Sequence, residues 1–140
     1  MASPKLTIAE LLATPLSSSD AAFSTNSRNR HSQLVELINT PVGDEYFSST
    51  IDALRETDVT SILIGRLPSG RAVPPHRGDK RICRIHLGLI VPDGDVAFTC
   101  RGEDRKWEKG KCLAFNDFYE HSARNNTEYD RVNLIVDTLR

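Results

Sequence analysis

The sequence predicts a mainly β domain with helices packed on one side of it. Three observations lead to this fold class: apolar residues alternate from Val59 onward, β-branched residues gather in short runs, and glycine, proline or aspartate bounds each run. Short connections between such runs favour neighbouring antiparallel strands, as in a sandwich or a jelly roll. A length of 140 residues suits a single domain with one hydrophobic core.

The N-terminal part of the chain differs in composition from the rest. Residues 1–30 are expected to form a flexible arm, because their second half is rich in serine, asparagine and alanine and poor in large apolar residues. A short helix over Ile8 to Leu12 is expected within this arm. Residues 31–140 are then expected to form the domain.

The domain is expected to begin with a helical part over residues 31–57. The apolar residues between Leu34 and Ile38 recur at helical spacing and stop at Thr40-Pro41, where proline forbids continuation of a helix. An amphipathic pattern then predicts a second helix over Asp44 to Glu56. These helices would supply the layer that covers one face of the strands.

The β core is expected over residues 59–138. The candidate strands are Val59–Leu67, Ile82–Val91, Val96–Arg101, Lys111–Phe115 and Arg131–Thr138. Turn chemistry separates them at Pro68–Gly70, Pro92–Gly94 and Glu108–Gly110. The connections are short enough for consecutive strands to lie side by side.

Composition excludes several classes of function. With 18 basic and 19 acidic side chains the formal net charge is −1, which gives no sign of a nucleic-acid surface. Three cysteines without a C-x-x-C pair argue against a secreted disulfide framework, so a cytoplasmic location is expected. The sequence shows neither a signal peptide nor a membrane span, and no membrane association is expected.

Three of the four histidines fall in the predicted β region, namely His76, His86 and His121. In the ordinary interpretation, His86 is a hydrogen-bonded core residue and the other two lie in solvated loops. Arg131 favours a second interpretation, because it opens an apolar strand in which a charge requires an anionic partner. Two imidazoles on one face of an iron ion, with an arginine that binds a carboxylate in a bidentate manner, are what an oxygenase site needs.

Five ordered motifs resemble the aspartyl/asparaginyl β-hydroxylase family. They are Val73-Pro-Pro-His-Arg-Gly78, Arg84-Ile-His-Leu-Gly-Leu-Ile-Val-Pro92, Trp107-Glu-Lys-Gly-Lys111, Phe115-Asn-Asp-Phe-Tyr-Glu-His121 and Arg131-Val-Asn-Leu-Ile-Val-Asp137. The resemblance covers roughly Val59 to Thr138, a little over half of the chain. The resemblance implies a double-stranded β-helix, the cupin-like form of jelly roll, and an oxygenase that depends on iron(II) and 2-oxoglutarate.

The resemblance also implies roles for individual residues. His76 and His121 match the histidines that bind iron(II), and Arg131 matches the arginine that pairs with the distal carboxylate of 2-oxoglutarate. Arg84 and His86 match residues that contact this cosubstrate, and their spacing of two places them on one face of a strand. Trp107 and Phe115 are interpreted as packing residues.

The rest of the metal shell stays open at this point. Many related oxygenases have a carboxylate two residues after the first histidine, where this chain has Gly78. Asp79 or water is then left to complete the shell, and a small residue at this position also keeps halogenation open. Asp117 or Glu120 is a candidate for orienting the His121 imidazole.

The expected function is hydroxylation of a C–H bond in an amino acid, a peptidyl residue or a small metabolite, with O₂ as a second substrate. One alternative is a non-catalytic cupin-like protein that binds a metal or a small acid, or a degenerate oxygenase. Another is a zinc hydrolase with His86 as the third ligand, which requires an open position and a general base. The oligomeric state is not predicted.

Overall fold

The computed structural model describes residues 33–139, so the predicted arm and the helix at Ile8 to Leu12 lie outside the described residues. The elements in chain order are β1 (Gln33–Glu36), α1 (Pro41–Tyr46), α2 (Ser48–Leu54), β2 (Val59–Leu67), β3 (Ala72–His76), β4 (Ile82–Ile90), β5 (Val96–Cys100), β6 (Glu103–Arg105), β7 (Cys112–Asn116), β8 (His121–Asn125) and β9 (Arg131–Leu139). Within this range no helix is long and apolar enough to cross a membrane.

The strands form two antiparallel sheets. The five-stranded sheet has the order β1-β2-β9-β4-β7, and the four-stranded sheet has the order β3-β8-β5-β6. The mainly β fold class and the jelly-roll arrangement predicted from the sequence are confirmed. Side chains of both sheets line a common cavity, so the four-stranded sheet lies opposite the inner face of the five-stranded one.

The outer face of the five-stranded sheet carries the larger apolar core. Alternate residues of β2 and β9 point to this side, and they pack against Ile51 of α2 and against residues of β1 and the turn after it. The buried members are Val35, Leu37, Ile51, Ile62, Ile64, Val132 and Val136. A second, aromatic core lies between the sheets and contains Val96, Phe98, Trp107 and Phe115.

The predicted helix at Leu34 to Ile38 is wrong, because these residues begin in strand β1, which pairs with β2. Val35 and Leu37 are fully buried while Leu34 lines the inner cavity, so both faces of the segment are covered. A short apolar run covered on two faces has no period that separates strand from helix. Pro41 does not end a helix here; it starts α1, behind the Thr40 cap whose Oγ1 accepts a hydrogen bond from Gly43 N at 3.1 Å.

The other predicted elements lie close to their expected places. The amphipathic segment Asp44 to Glu56 is helical but divided at Phe47, whose φ of −128° lies outside the helical region. The five candidate strands correspond to β2, β4, β5, β7 and β9, with ends that differ by one residue at most. Strands β1, β3, β6 and β8 were not predicted.

Candidate active site

The two outer histidines meet across the four-stranded sheet. His76 ends β3 and His121 begins β8, and the antiparallel register makes them direct cross-strand partners. Their ring centroids are 4.2 Å apart. His76 is exposed, whereas His121 is buried against Phe98 and Phe115. The structure therefore brings together the two residues that the sequence singled out as metal ligands.

Both imidazoles are oriented by backbone carbonyls two residues earlier. His76 Nδ1 lies 2.8 Å from the Pro74 oxygen, and His121 Nδ1 lies 2.6 Å from the Tyr119 oxygen. A carbonyl only accepts, so each Nδ1 carries the proton and each Nε2 keeps its lone pair. Burial lowers the pKa of His121, which keeps this ring neutral at neutral pH. With Nδ1 of each ring held by a carbonyl, the two Nε2 atoms are left to serve as donors to a divalent metal.

Asp117 lies beside this pair, in the place that a side chain at residue 78 would occupy. A Cβ added at Gly78 would overlap Asp117 Oδ2, which accepts a hydrogen bond from Asp79 N at 2.9 Å. Asp117 Oδ1 is buried without a hydrogen-bond partner and lies 3.6 Å from His121 Nε2. Arg84 Nη1 lies 3.3 Å from the same oxygen, and this cation offsets part of the cost of burying the carboxylate. Asp117 therefore supplies a carboxylate where Gly78 has none.

The other two acidic candidates lie elsewhere. Asp79 forms an ion pair with Arg81 at 2.8 Å, and hydrogen bonds from Arg81 lower the pKa of Asp79 to about 2. Glu120 is exposed. Of the described residues, no three His, Cys, Asp or Glu side chains are grouped closely enough to hold a metal ion by themselves.

Arg131 occupies the deep end of the cavity. It is 4% exposed, its Cζ stacks 4.4 Å from the centre of the Trp107 ring, and its Nε has no hydrogen-bond partner. Burial lowers the pKa of Arg131 to about 9, so the guanidinium still carries its charge at neutral pH. A buried cation with a free N–H group is the feature expected of a site for an anionic ligand.

His86, on the neighbouring strand β4, also packs against Trp107, with ring centroids 6.2 Å apart, and it differs from the other two histidines in its tautomer. The Trp107 indole Nε1 donates to His86 Nδ1 at 3.2 Å, which places the proton of the neutral ring on Nε2. Burial lowers the pKa of His86 well below its usual value. The deep end of the cavity thus combines a cation with a neutral N–H donor.

Arg84 lines the same cavity but already has anionic partners. It faces Asp137 directly across strands β4 and β9, and its Nε and Nη2 donate to the two carboxylate oxygens at 2.7 and 2.9 Å. Its Nη1 also lies 3.3 Å from Asp117 Oδ1. Arg84 is therefore neutralised within the protein, in contrast to Arg131.

The cavity that joins these groups has a volume of about 320 Å³. It is lined by all five predicted site residues, His76, His121, Arg84, His86 and Arg131, and by Asp117. Four aliphatic residues also line the cavity and were not predicted as part of the site: Leu34, Leu63 and Ile135 on the five-stranded sheet and Val73 on β3. Glu36 of β1 lines the cavity as well. Leu63 and Ile135 alternate with the core residues of β2 and β9, so strand periodicity was the signal that could have found them.

Two antiparallel sheets with a histidine pair between them define a double-stranded β-helix of the cupin kind. Solved structures support this class. A predicted oxalate decarboxylase from Thermotoga maritima superposes with a TM-score of 0.59 at 19% identity, over 90% of this chain and 99% of that one. The cupin domain of Schizosaccharomyces pombe Cnp3 superposes with a TM-score of 0.57 at 10% identity, over 91% of this chain and 74% of that one. At such identities the likeness concerns the fold alone.

The chain belongs to the aspartyl/asparaginyl β-hydroxylase family, whose model matches residues 16–140. It is 38% identical over 85 residues to the ornithine lipid ester-linked acyl 2-hydroxylase of Rhizobium tropici. The matched segment covers 59% of this chain and 30% of that protein. It is 36% identical over 94 residues to the aspartyl/asparaginyl β-hydroxylase of Mus musculus. This segment covers 66% of this chain and 12% of that protein. The chain thus spans about a third or less of these curated relatives.

Proposed function

We propose that this chain carries the active site of an iron(II)- and 2-oxoglutarate-dependent dioxygenase that hydroxylates a C–H bond. The observation that carries the proposal is a single cavity with two imidazoles whose Nε2 atoms can bind a metal at one end. At the other end is a buried arginine whose Nε has no hydrogen-bond partner. A dicarboxylic 2-oxoacid requires both ends at once, because one end of the molecule chelates the metal and the other is a carboxylate. Family membership supports the same reaction class.

His76 and His121 would hold the metal through Nε2. Their Nδ1–H groups are held by the Pro74 and Tyr119 carbonyls, so neither ring has to reorient to bind. Asp117 Oδ1 would face the metal from the side opened by Gly78, either directly or through a water molecule. The residues present therefore fit a metal whose remaining positions are filled by cosubstrate and water.

Arg131 and His86 would bind the far carboxylate of 2-oxoglutarate. The Arg131 guanidinium contributes charge, and the His86 Nε2–H contributes a neutral donor. Arg84 has a positioning role in this proposal: its bond to Asp137 ties β4 to β9 beside the cosubstrate, and its contact with Asp117 orients that carboxylate. When bound, iron(II) with 2-oxoglutarate and O₂ supplies the oxidising power for C–H hydroxylation, while the protein orients the substrate and limits water.

The substrate class in this proposal is an amino acid, a peptidyl residue or a small metabolite. The aliphatic lining residues Leu34, Leu63, Val73 and Ile135 favour an aliphatic portion of the substrate within the cavity. The names of the two relatives point to an acyl chain in one and to aspartyl or asparaginyl residues in the other. A cytoplasmic location is proposed because Cys83, Cys100 and Cys112 are all free thiols.

A non-catalytic cupin-like protein that binds a metal or a small acid is the second candidate. It is favoured by one observation, the lack of a group of three metal-binding side chains within residues 33–139. A zinc hydrolase would need His86 as its third ligand, but His86 Nδ1 accepts the Trp107 hydrogen bond and its Nε2 carries the proton. The hydroxylase and the binding protein differ in whether 2-oxoglutarate is consumed.

The experiment that tests the proposal follows succinate formation from 2-oxoglutarate with iron(II), ascorbate and O₂ in the full chain. Turnover that depends on both metal and O₂ is expected, and it should be abolished in His76→Ala and in His121→Ala. A matched control is His31→Ala, which changes a histidine that the sequence places before the β core. Full turnover in either ligand variant would overturn the metal assignment, and no turnover in the wild type would favour the binding protein.

A further inference from the structure

Two arginines lie over exposed aromatic rings beside the mouth of the cavity. Arg77 follows the exposed His76, and its Cζ lies 5.9 Å from the centre of the Phe118 ring. The Cζ of Arg101 lies 4.6 Å from the centre of the Tyr119 ring. Phe118 and Tyr119 stand in the turn just before His121 and are 44% and 39% exposed. Both arginines are thus held at the surface next to the histidine pair.

The guanidinium N–H groups of these two arginines are available to a ligand. In the part of the chain that the structure describes, neither Arg77 nor Arg101 forms an ion pair, whereas Arg81 and Arg124 are bound to aspartates. A guanidinium that rests on a ring face keeps its N–H donors, because the ring attracts the charge and takes no in-plane hydrogen bond. Such a group is oriented in advance and can still bind an oxyanion in a bidentate manner.

Arg101 stands at a backbone position that an arginine seldom occupies. The hairpin between β5 and β6 has positive φ at both central residues, +51° at Arg101 and +80° at Gly102. Asparagine, aspartate or glycine is the usual residue at the first of these positions. Arg101 N also donates to the Glu120 oxygen at 3.0 Å, which fixes the hairpin to the turn that carries Tyr119. The fold therefore holds a long cationic side chain where local preference favours a short one.

These groups line a surface depression of about 440 Å³, which shares Arg77 with the cavity. It is lined by Arg77, Arg101, Gly102, Phe118, Tyr119 and Glu120, and Arg77 also lines the cavity itself. The depression contains two cations and one carboxylate, that of Glu120. Because Arg77 lines both, a molecule that extends out of the cavity past Arg77 would enter the depression that Arg101 also lines.

We propose that this depression is a subsite for an anionic group, a phosphate or a carboxylate, at the end of the substrate that points away from the metal. Arg77 and Arg101 bind the anion, while Phe118 and Tyr119 pack against the carbon atoms next to it. The inference rests on the proposed function, because it assigns the substrate class of the same site: a molecule with an aliphatic segment beside the histidine pair and an anionic group at the surface.

The test is an NMR titration of the ¹⁵N-labelled full chain at low ionic strength, with inorganic phosphate, hexyl phosphate and hexanol as probes. The Gly102 and Tyr119 amide signals report the depression. The indole signal of Trp107, the one tryptophan in the sequence, reports binding near Arg131 separately. Both phosphates are expected to give saturable shifts at the depression, and hexanol is expected to give none.

The deciding variant is Arg77→Gln/Arg101→Gln, in which both side chains are exposed and their loss should leave the fold intact. Its affinity for hexyl phosphate at the depression is expected to fall about tenfold, as for the loss of charge-assisted contacts. The matched control is Arg105→Gln on strand β6, an exposed arginine already paired with Glu103 at 3.1 Å, which should keep wild-type affinity.

Three results would overturn the subsite: no saturable shift at Gly102 and Tyr119 in the wild type, equal affinity in the double variant, or equal shifts with hexanol. If the first of these results came with a response at the Trp107 indole, the subsite would be overturned while the proposed cosubstrate site would still stand. The failure of the subsite and the failure of the proposed function are therefore read from different signals.

Discussion

The two ends of the cavity use the same residue types in opposite ways. At the outer end the Nδ1–H groups of His76 and His121 are already bound by carbonyls, and the rings present lone pairs. At the deep end His86 accepts through Nδ1 and presents an N–H, beside an Arg131 whose Nε has no partner. The outer end is thus prepared for a cation and the deep end for an anion.

This difference has an energetic consequence. The histidine pair satisfies its own N–H groups without a ligand, so the metal-free protein bears little cost there. A buried guanidinium without an anion costs several kcal/mol in desolvation, of which stacking on Trp107 returns about 1–2 kcal/mol. Binding of a dicarboxylate should therefore relieve an unfavourable interaction at the deep end that the outer end does not have.

The largest expected effect comes from comparing the two arginines. Arg131→Leu should weaken 2-oxoglutarate binding by on the order of 100-fold, because the distal carboxylate loses its buried partner. The same change should raise the free energy of unfolding of the ligand-free protein by about 1–3 kcal/mol, because it removes an unpaired buried charge. Urea-induced unfolding and equilibrium binding measure the two quantities.

Arg84→Leu is the matched control, and its effect on stability should have the opposite sign. It leaves Asp137 and Asp117 without their cation, so the free energy of unfolding should fall by about 2–4 kcal/mol. If Arg131→Leu destabilised the protein as much as Arg84→Leu, Arg131 would have an internal partner and the contrast between the two arginines would be wrong.

A second prediction concerns the space shared by Gly78 and Asp117. Gly78→Ala should lower the free energy of unfolding by about 1–3 kcal/mol, because the new Cβ overlaps the Asp117 carboxylate. Adding Asp117→Ala should remove the overlap, so the double variant should lose at least about 1 kcal/mol less than the sum of the single variants. Additive losses in this double-mutant cycle would mean that the carboxylate does not occupy that space.

The smallest expected effect is the pH dependence contributed by His86. Because burial lowers its folded-state pKa, the unfolded chain takes up a proton near pH 6.5 that the folded protein does not. Stability is therefore full above the unfolded pKa and falls with acid, by about 1.4 kcal/mol between pH 7.5 and 5.5 for this one group.

His86→Asn isolates that contribution, since the Asn oxygen can still accept the Trp107 hydrogen bond while the group no longer titrates. Urea unfolding at the two pH values should show a smaller acid-induced loss in the variant than in the wild type. An equal loss in both proteins would show that His86 does not stay neutral in the folded state.

Residues that alternate in a simple pattern could be predicted from the sequence, and those governed by distant contacts could not. The strands β2, β4 and β9 have clear apolar periods, whereas β3 contains Pro74 and Pro75, which hide its strand character. Strand β8 is mostly polar apart from Ala123. It forms because it pairs with both β3 and β5, a fact that no local pattern contains.

The residues of the site also fall into a group that sequence motifs predict and a group that depends on distant contacts. His76, His121 and Arg131 could be singled out from motifs, and the structure places all three on one cavity. The Asp117 bond to Asp79 N joins residues 38 positions apart, and the Arg84 bond to Asp137 joins residues 53 positions apart. Both depend on strand register, which a single sequence leaves open. The resemblance implied that Arg84 contacts the cosubstrate, and the structure adds its pairing with Asp137, which the sequence did not predict.

The most direct test of the two-ended cavity is thermal unfolding of the full chain under anaerobic conditions with manganese(II), with and without 2-oxoglutarate. A ligand that binds only the folded state must raise its melting temperature. We expect manganese to raise the melting temperature of the wild type and 2-oxoglutarate to raise it further, whereas in Arg131→Leu only the metal effect should remain. No further rise with 2-oxoglutarate in the wild type, or an equal rise in Arg131→Leu, would contradict the account.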